Sequence, residues 1–259
     1  MMLWYLYPLA IAAGFACGYI NTLAGSGSLI TLPLLIFLGL PANVANGTNR
    51  IAILLQNGVA SRSFHQQRVL DLRGGLTLSL PAVVGSLIGA QIAVNLDAVT
   101  MQRAIAGLMI FMVIVMAVRP QRWLQGRPDA MRHGPSWQQA LVFFAIGIYG
   151  GFIQAGVGIF LLAGLVLDAG YDLVRANAVK VLITLCLTAS ALIVFLVNGE
   201  VQWGIGLIVG VGTMLGAWVA ARMAVKRGAV FLHRLLIVVV VLSAAQLLGA
   251  FDALARLFS

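Results

Sequence analysis

Two basic side chains stand where bases are costly. Arg50 closes Ala45-Asn46-Gly47-Thr48-Asn49-Arg50, and Lys180 closes Ala176-Asn177-Ala178-Val179-Lys180, each near the start of a long apolar run. If those runs lie in a membrane, a base within one costs about 2.5–3.5 kcal/mol on insertion scales, so both side chains should face the interior of a helix bundle. No carboxylate lies near Arg50 in the sequence to pair with it, and a bound anion would complete the site. Asn46, Thr48, Asn49 and Asn177 are the neighbouring hydrogen-bond partners. The plainer alternatives are snorkelling for the bases and helix capping for the polar residues.

About twenty residues before each base the apolar sequence is interrupted. The first break is Asn21-Thr22-Leu23-Ala24-Gly25-Ser26-Gly27-Ser28 and the second is Gln154-Ala155-Gly156-Val157-Gly158. A short apolar piece follows each, 29–38 and 159–167. Ten residues reach only ~15 Å, half of a ~30 Å hydrocarbon core, so each piece reads as a half-helix. A helix restarted in mid-membrane leaves free N–H groups and partial positive charge at its amino end, which suits an anion. Gly25, Gly27, Gly156 and Gly158 let the backbone come close, while Asn21, Ser26, Ser28 and Gln154 add polar side chains. Interrupted helices at corresponding places in two halves are a pointer to a transporter's substrate site. The competing role for such glycines is tight helix crossing, which is the reading for Gly85/Gly89 and Gly212/Gly216.

The elements that must position these residues are membrane spans. Of 259 residues, 61% are hydrophobic and 9% charged, with a mean hydropathy of +1.02. A soluble domain carries about 25% charged residues, so a soluble globular fold is excluded. The net charge of +9 sits mainly in connections between apolar runs, as the positive-inside bias requires, and implies no nucleic acid. Expected spans are 3–23, 43–60, 74–95 and 100–118, then 138–153, 173–197, 201–221 and 230–250. Cys17 and Cys186 lie within apolar runs as small hydrophobes, and no residue set suggests a metal or cofactor.

The chain repeats itself. Gly25, Gly39, Ala45 and Asn46 recur 131 positions later as Gly156, Gly170, Ala176 and Asn177. This divides it into a first repeat, 1–118, a linker, 119–137, and a second repeat, 138–259. Equivalent loops have exchanged their charge: 62–73 is basic where 198–200 is not, and 222–227 is basic where 95–97 is not. Equivalent loops therefore face opposite sides of the membrane. The expected architecture is an all-α integral membrane protein, an inverted repeat whose halves each hold a broken or re-entrant helix plus three full spans. The basic loops and the linker fall in the cytoplasm and the amino terminus outside it. Segment 1–23 reads as a retained first span, lacking a basic start and a cleavage site.

The acids Asp71, Asp97, Asp129, Asp168, Asp172, Glu200 and Asp252 all fall at loops or span ends, so a buried proton relay has no evident members. An intramembrane hydrolase using Ser26 or Ser28 would need a nearby base, and no histidine falls within a span, so the chain does not read as an enzyme. A passive anion channel and an uptake carrier remain alternatives to an exporter. Oligomeric state leaves no mark in the sequence.

At Gly25-Ser26-Gly27-Ser28-Leu29-Ile30-Thr31-Leu32-Pro33, Gly39 and Ala45-Asn46-Gly47-Thr48-Asn49, with a weaker second copy, the chain resembles the TauE/SafE sulfite exporters, also called TSUP permeases. The likeness spans nearly the whole chain. It implies a multi-pass bacterial inner-membrane permease for sulfite, thiosulfate or an organosulfonate. Two positions depart from the family pattern: Ser28, where Gly is frequent, and Asn49, where Ser is common.

Overall fold

The computed structural model of the chain describes residues 6–118 and 136–247, and its regular elements there are all helical. The order is α1 (Leu6–Ala24), α2 (Ser28–Phe37), α3 (Ala42–Gln66), α4 (Leu72–Val94) and α5 (Ala98–Val118). Then come α6 (Trp137–Phe152), α7 (Val157–Ala163) with a π-helical turn (Gly164–Asp168), α8 (Leu173–Val197) and α9 (Trp203–Leu247). Three stretches are long and apolar enough to cross a membrane: α4, α8 and the Trp203–Gly228 part of α9. At 25 residues α3 is as long as α8, but it carries a buried polar stripe that includes Asn46, Asn49, Arg50, Gln56 and Asn57.

Local chemistry sets the helix starts. Asp71 accepts from the Gly74 amide at the head of α4, Asp97 from Val99 and Thr100 at α5, and Asp172 from Val174 and Arg175 at α8. Ser136 and Gln139 form a capping box that opens α6. Trp137, the last residue assigned to the linker, is therefore helical, while 119–135 lie outside the described residues. Two expected basic loops are also shorter than the sequence suggests. Arg62 and His65 ride on the last turns of α3, and 222–227 continue α9 until Gly228 breaks it at φ +70°. All six residues of 222–227 are tolerable or good helix formers, so only the glycine interrupts.

Both expected breaks are present. Gly25 (φ +78°) separates α1 from α2. Extended Ile153 and left-handed Gly156 (φ +72°) separate α6 from α7. Left-handed backbone recurs 131 positions apart not only at Gly25/Gly156 but at Gly39/Gly170 and at Arg68/Gly199. The halves interlock, with α1 packed on α9 and α4 on α6. Small residues make those crossings: a Cβ at Gly151 would strike the Ser86 backbone, one at Gly89 that of Ile148, and one at Gly216 that of Phe15.

α3 and α8, equivalent in the two halves, run antiparallel. Asn43 at the head of α3 donates to Glu200 just past α8 (2.8 Å), while Tyr171 just before α8 donates to Asp71 just past α3 (2.8 Å). At the Asp71 end, Gln67 also reaches the Ala221 carbonyl on α9 (3.4 Å), one residue before Arg222. The basic segments around Arg68 and Arg222 thus share one end of the molecule.

Candidate functional site

The two breaks meet. A Cβ built on Gly25 would lie 2.5 Å from the Gly158 Cα, and the reverse substitution is equally close, so only glycine fits on either side. Beside this contact is a cavity lined by Asn21, Gly25, Asn57, Gln154, Val157, Gly158, Lys180 and Thr184. Its free volume is about 10 Å³, room for one water.

Five expected residues line the cavity: Asn21, Gly25, Gln154, Gly158 and Lys180. Lys180 is buried on α8, and its Nζ donates to the Asn21 (3.2 Å) and Thr22 (2.9 Å) carbonyls at the end of α1. The Thr22 carbonyl lacks a helical partner because α1 stops there, whereas the Asn21 carbonyl also accepts from the Gly25 amide (2.8 Å), and a cation at a helix's carboxyl end also suits the macrodipole. Asn21 uses its Oδ1 to accept from the Gly27 amide (3.2 Å), so one amide expected to be free for an anion is already satisfied.

Arg50 does the same for the other break. Fully buried on α3, it donates through Nη1 to Gly150 O (3.1 Å) and through Nη2 to Gly151 O (2.5 Å) and Phe152 O (3.5 Å), the last carbonyls of α6. Its guanidinium stacks 4.5 Å from the Phe195 ring, and Asn46 Nδ2 also donates to Phe152 O (2.8 Å). Each base therefore holds the broken helix of the opposite half. Arg50 is not among the residues lining the cavity.

The other expected residues also lie off the cavity wall. Thr48 Oγ1 accepts from the Gln202 amide (2.9 Å) beside the start of α9, and Asn49 Oδ1 accepts from Thr31 Oγ1 on α2 (2.7 Å). Gly156 supplies the left-handed turn before α7, and Gly27 packs against Cys17 and Asn21. Ser26, Ser28 and Asn177 are buried with side-chain atoms that have no partner among the described residues.

Asn57 and Thr184 line the cavity and were not anticipated. A signal for them existed. Thr184 follows Lys180 by one helical turn, Asn57 follows Arg50 by two turns, and Thr188, 131 positions after Asn57, bonds Gln154.

A polytopic helical bundle, with two broken helices crossing over a small polar cavity inside apolar packing, defines the class of membrane transporters with discontinuous helices. The sequence profile of the family described as Sulfite exporter TauE/SafE matches residues 10–247, and the chain belongs to that family. It is 29% identical over 246 residues to a probable membrane transporter protein ORF9 of Sinorhizobium sp., covering 95% of this chain and 93% of that one. It is 27% identical to the probable membrane transporter protein YfcA of Escherichia coli K12 (96% and 90% covered), and 24% identical to a probable membrane transporter protein of Haemophilus influenzae (93% and 94% covered). No solved structure matches. The protein is a membrane transporter.

Proposed function

We propose that the chain moves a small sulfur-containing anion (sulfite, thiosulfate or an organosulfonate) across the bacterial inner membrane, exporting it by alternating access. The observation that carries this reading is Lys180. It is the one charged side chain among the described residues lining the small cavity at the crossing of two broken helices. An anion leaving an inside-negative cell gains about 2.3 kcal/mol per charge per 100 mV, so export needs no coupling ion.

The antiparallel course of α3 and α8, and the gathering of basic segments at one end, support reading the halves as an inverted repeat. With the basic end in the cytoplasm, the amino terminus lies outside. Cysteine labelling at positions 68 and 227 should place both in the cytoplasm, and labelling from opposite sides would overturn the orientation.

The direct test is flux in proteoliposomes against a panel of sulfur oxyanions. Saturable efflux with counterflow is expected, whereas ohmic current without counterflow would make the protein a channel. Absence of flux for every sulfur anion would overturn the substrate reading.

A further inference from the structure

We propose that Glu200 and Asn43 form a proton-operated latch between α8 and α3. A proton on the Glu200 carboxyl ties shut the end of the bundle remote from the basic segments, and loss of that proton frees it. The latch lies away from the cavity and does not depend on what the cavity carries. It rests on the alternating-access reading only in giving the opening of this end a part in transport.

α3 and α8 come close together at this end. A Cβ on Gly47 would strike the Glu200 carbonyl and stand 2.9 Å from the Phe195 ring, the same ring that covers Arg50. Thr48 Oγ1 accepts from the Gln202 amide (2.9 Å), so the first turns of α3 also hold the approach to α9. Among the described residues one side-chain bond joins the tips: Asn43 Nδ2 donates to Glu200 Oε1 (2.8 Å). The remaining polar atoms of that amide and that carboxyl, Asn43 Oδ1 and Glu200 Oε2, are both buried and both without a partner among the described residues.

Two acceptors left over on the two partners of one hydrogen bond need one proton. Placed on Glu200 Oε2, it makes that oxygen a donor, and Asn43 Oδ1 is the complementary acceptor. A carboxylic acid and a primary amide then pair through two bonds where the carboxylate pairs through one. Without the proton, a buried carboxylate has one neutral donor for two oxygens, which is costly. The opposite end has no such deficit, because Asp71 accepts from the Gly74 amide on Oδ1 and from Tyr171 on Oδ2. The surroundings of Glu200 supply little charge. Val201 packs among α2, α3, α4, α5 and the α6–α7 break. α2 and α7 carry no titratable side chain, and α9 carries none before Arg222. α3 carries Arg50, turned to the α6 carbonyls, with Arg62 and His65 at its far end. α4 carries Arg73 in its first turn, at the Asp71 end, and α6 carries Tyr149, which donates to the Ala155 carbonyl. α5 carries Arg103 and is capped by Asp97, while Arg175, Lys180 and Cys186 precede the last two turns of α8. Among the described residues only Asn43 donates to the Glu200 side chain. Burial raises the Glu200 carboxyl above its ordinary value, the direction the latch requires.

The test is hydrogen exchange of the full chain in detergent, read by mass spectrometry at about pH 4.5 and about pH 7.5 and corrected for the intrinsic effect of pH on exchange. The reporting amides are those of 198–202, which include the Gln202 N–H held by Thr48, and the amides around Tyr171 at the other end serve as the reference. Protection of 198–202 should fall by about tenfold at the higher pH while the Tyr171 end holds. Glu200→Gln carries an amide that can donate to Asn43 Oδ1 at either pH, so it should keep the protected level at both. Asn43→Leu should give the weakly protected level at both. Equal protection of 198–202 at the two pH values in the parent, or a Glu200→Gln variant that loosens at the higher pH as the parent does, would overturn the latch. No solute is present in this experiment, so its failure leaves the transport of sulfur anions standing, and failure of the anion panel leaves the latch standing.

Discussion

Arg50 and Lys180 occupy adjacent positions in the two repeats and do the same job, yet they present different faces to the centre. Each caps the carboxyl end of the other half's broken helix. Arg50 uses both Nη atoms on α6 and is covered by Phe195, off the cavity wall, while Lys180 keeps one N–H and its charge at the cavity. The difference follows from side-chain chemistry. A guanidinium forks onto successive carbonyls and stacks on an aromatic ring, whereas an ammonium offers a point charge with three separable donors. Corresponding positions of the chain thus differ in their contacts: Arg50 is spent on a helix end, whereas Lys180 holds a helix end and also lines the cavity.

The largest effect should come from Arg50→Ala. The Gly150 and Gly151 carbonyls at the α6 end would lose their side-chain donor, while Phe152 O keeps Asn46 Nδ2, and a buried polar group left unpaired costs about 1–3 kcal/mol. The variant should fail to accumulate as folded protein, or melt far below the parent in detergent, with Arg50→Lys recovering part of the loss. A variant that melts normally but moves no anion would make Arg50 a ligand and end the contrast with Lys180.

Lys180→Gln comes next, because an amide can still donate to an α1 carbonyl while the charge at the cavity is gone. Flux should fall by at least about tenfold with most of the folded protein retained. Unchanged flux would show that the cavity works without its cation. Gly158→Ala probes the ground between the two bases. Its Cβ would stand 2.5 Å from the Gly25 Cα and force the breaks apart, at a cost of about 1–3 kcal/mol and with impaired transport. Gly204→Ala, where a Cβ meets nothing within 4 Å, should be silent in both assays.

Much of this was legible in the residues. The breaks show in Gly25 and Gly156, the crossings in Gly85/Gly89 and Gly212/Gly216, and the burial of Arg50 and Lys180 in their positions within apolar runs. What each base touches was not legible. The carbonyls of α1 and α6 become partners only because each half's α3 or α8 packs beside the other half's break, a contact between residues about 100 or more positions apart. Thr48 and Asn49 looked like site residues by proximity to Arg50. At 100° per residue they point elsewhere, toward α9 and α2. Arg68, left-handed like Gly199, carries a structural equivalence that residue identity hides.

The comparison of the repeats extends to the two ends of the α3–α8 pair, and there a pH dependence separates them. One end is tied by Tyr171 to Asp71, the other by Asn43 to Glu200. Burial pushes the Tyr171 phenol above its ordinary value, so it donates unchanged at neutral pH. Burial also raises the Glu200 carboxyl, a shift that the Asn43 hydrogen bond only partly opposes, and Glu200 Oε2 has no partner among the described residues. A raised carboxyl binds its proton more readily folded than unfolded. This contribution to stability is complete below the ordinary glutamate value of 4.5 and fades as pH rises through the folded value. Glu200→Gln should flatten that segment of the melting-temperature profile in detergent and modestly stabilise the protein near neutrality, whereas Tyr171→Phe should lower the whole profile without changing its slope. A Glu200→Gln profile with the parent's slope would mean that this end titrates through another group and that the two ends do not differ in the way described.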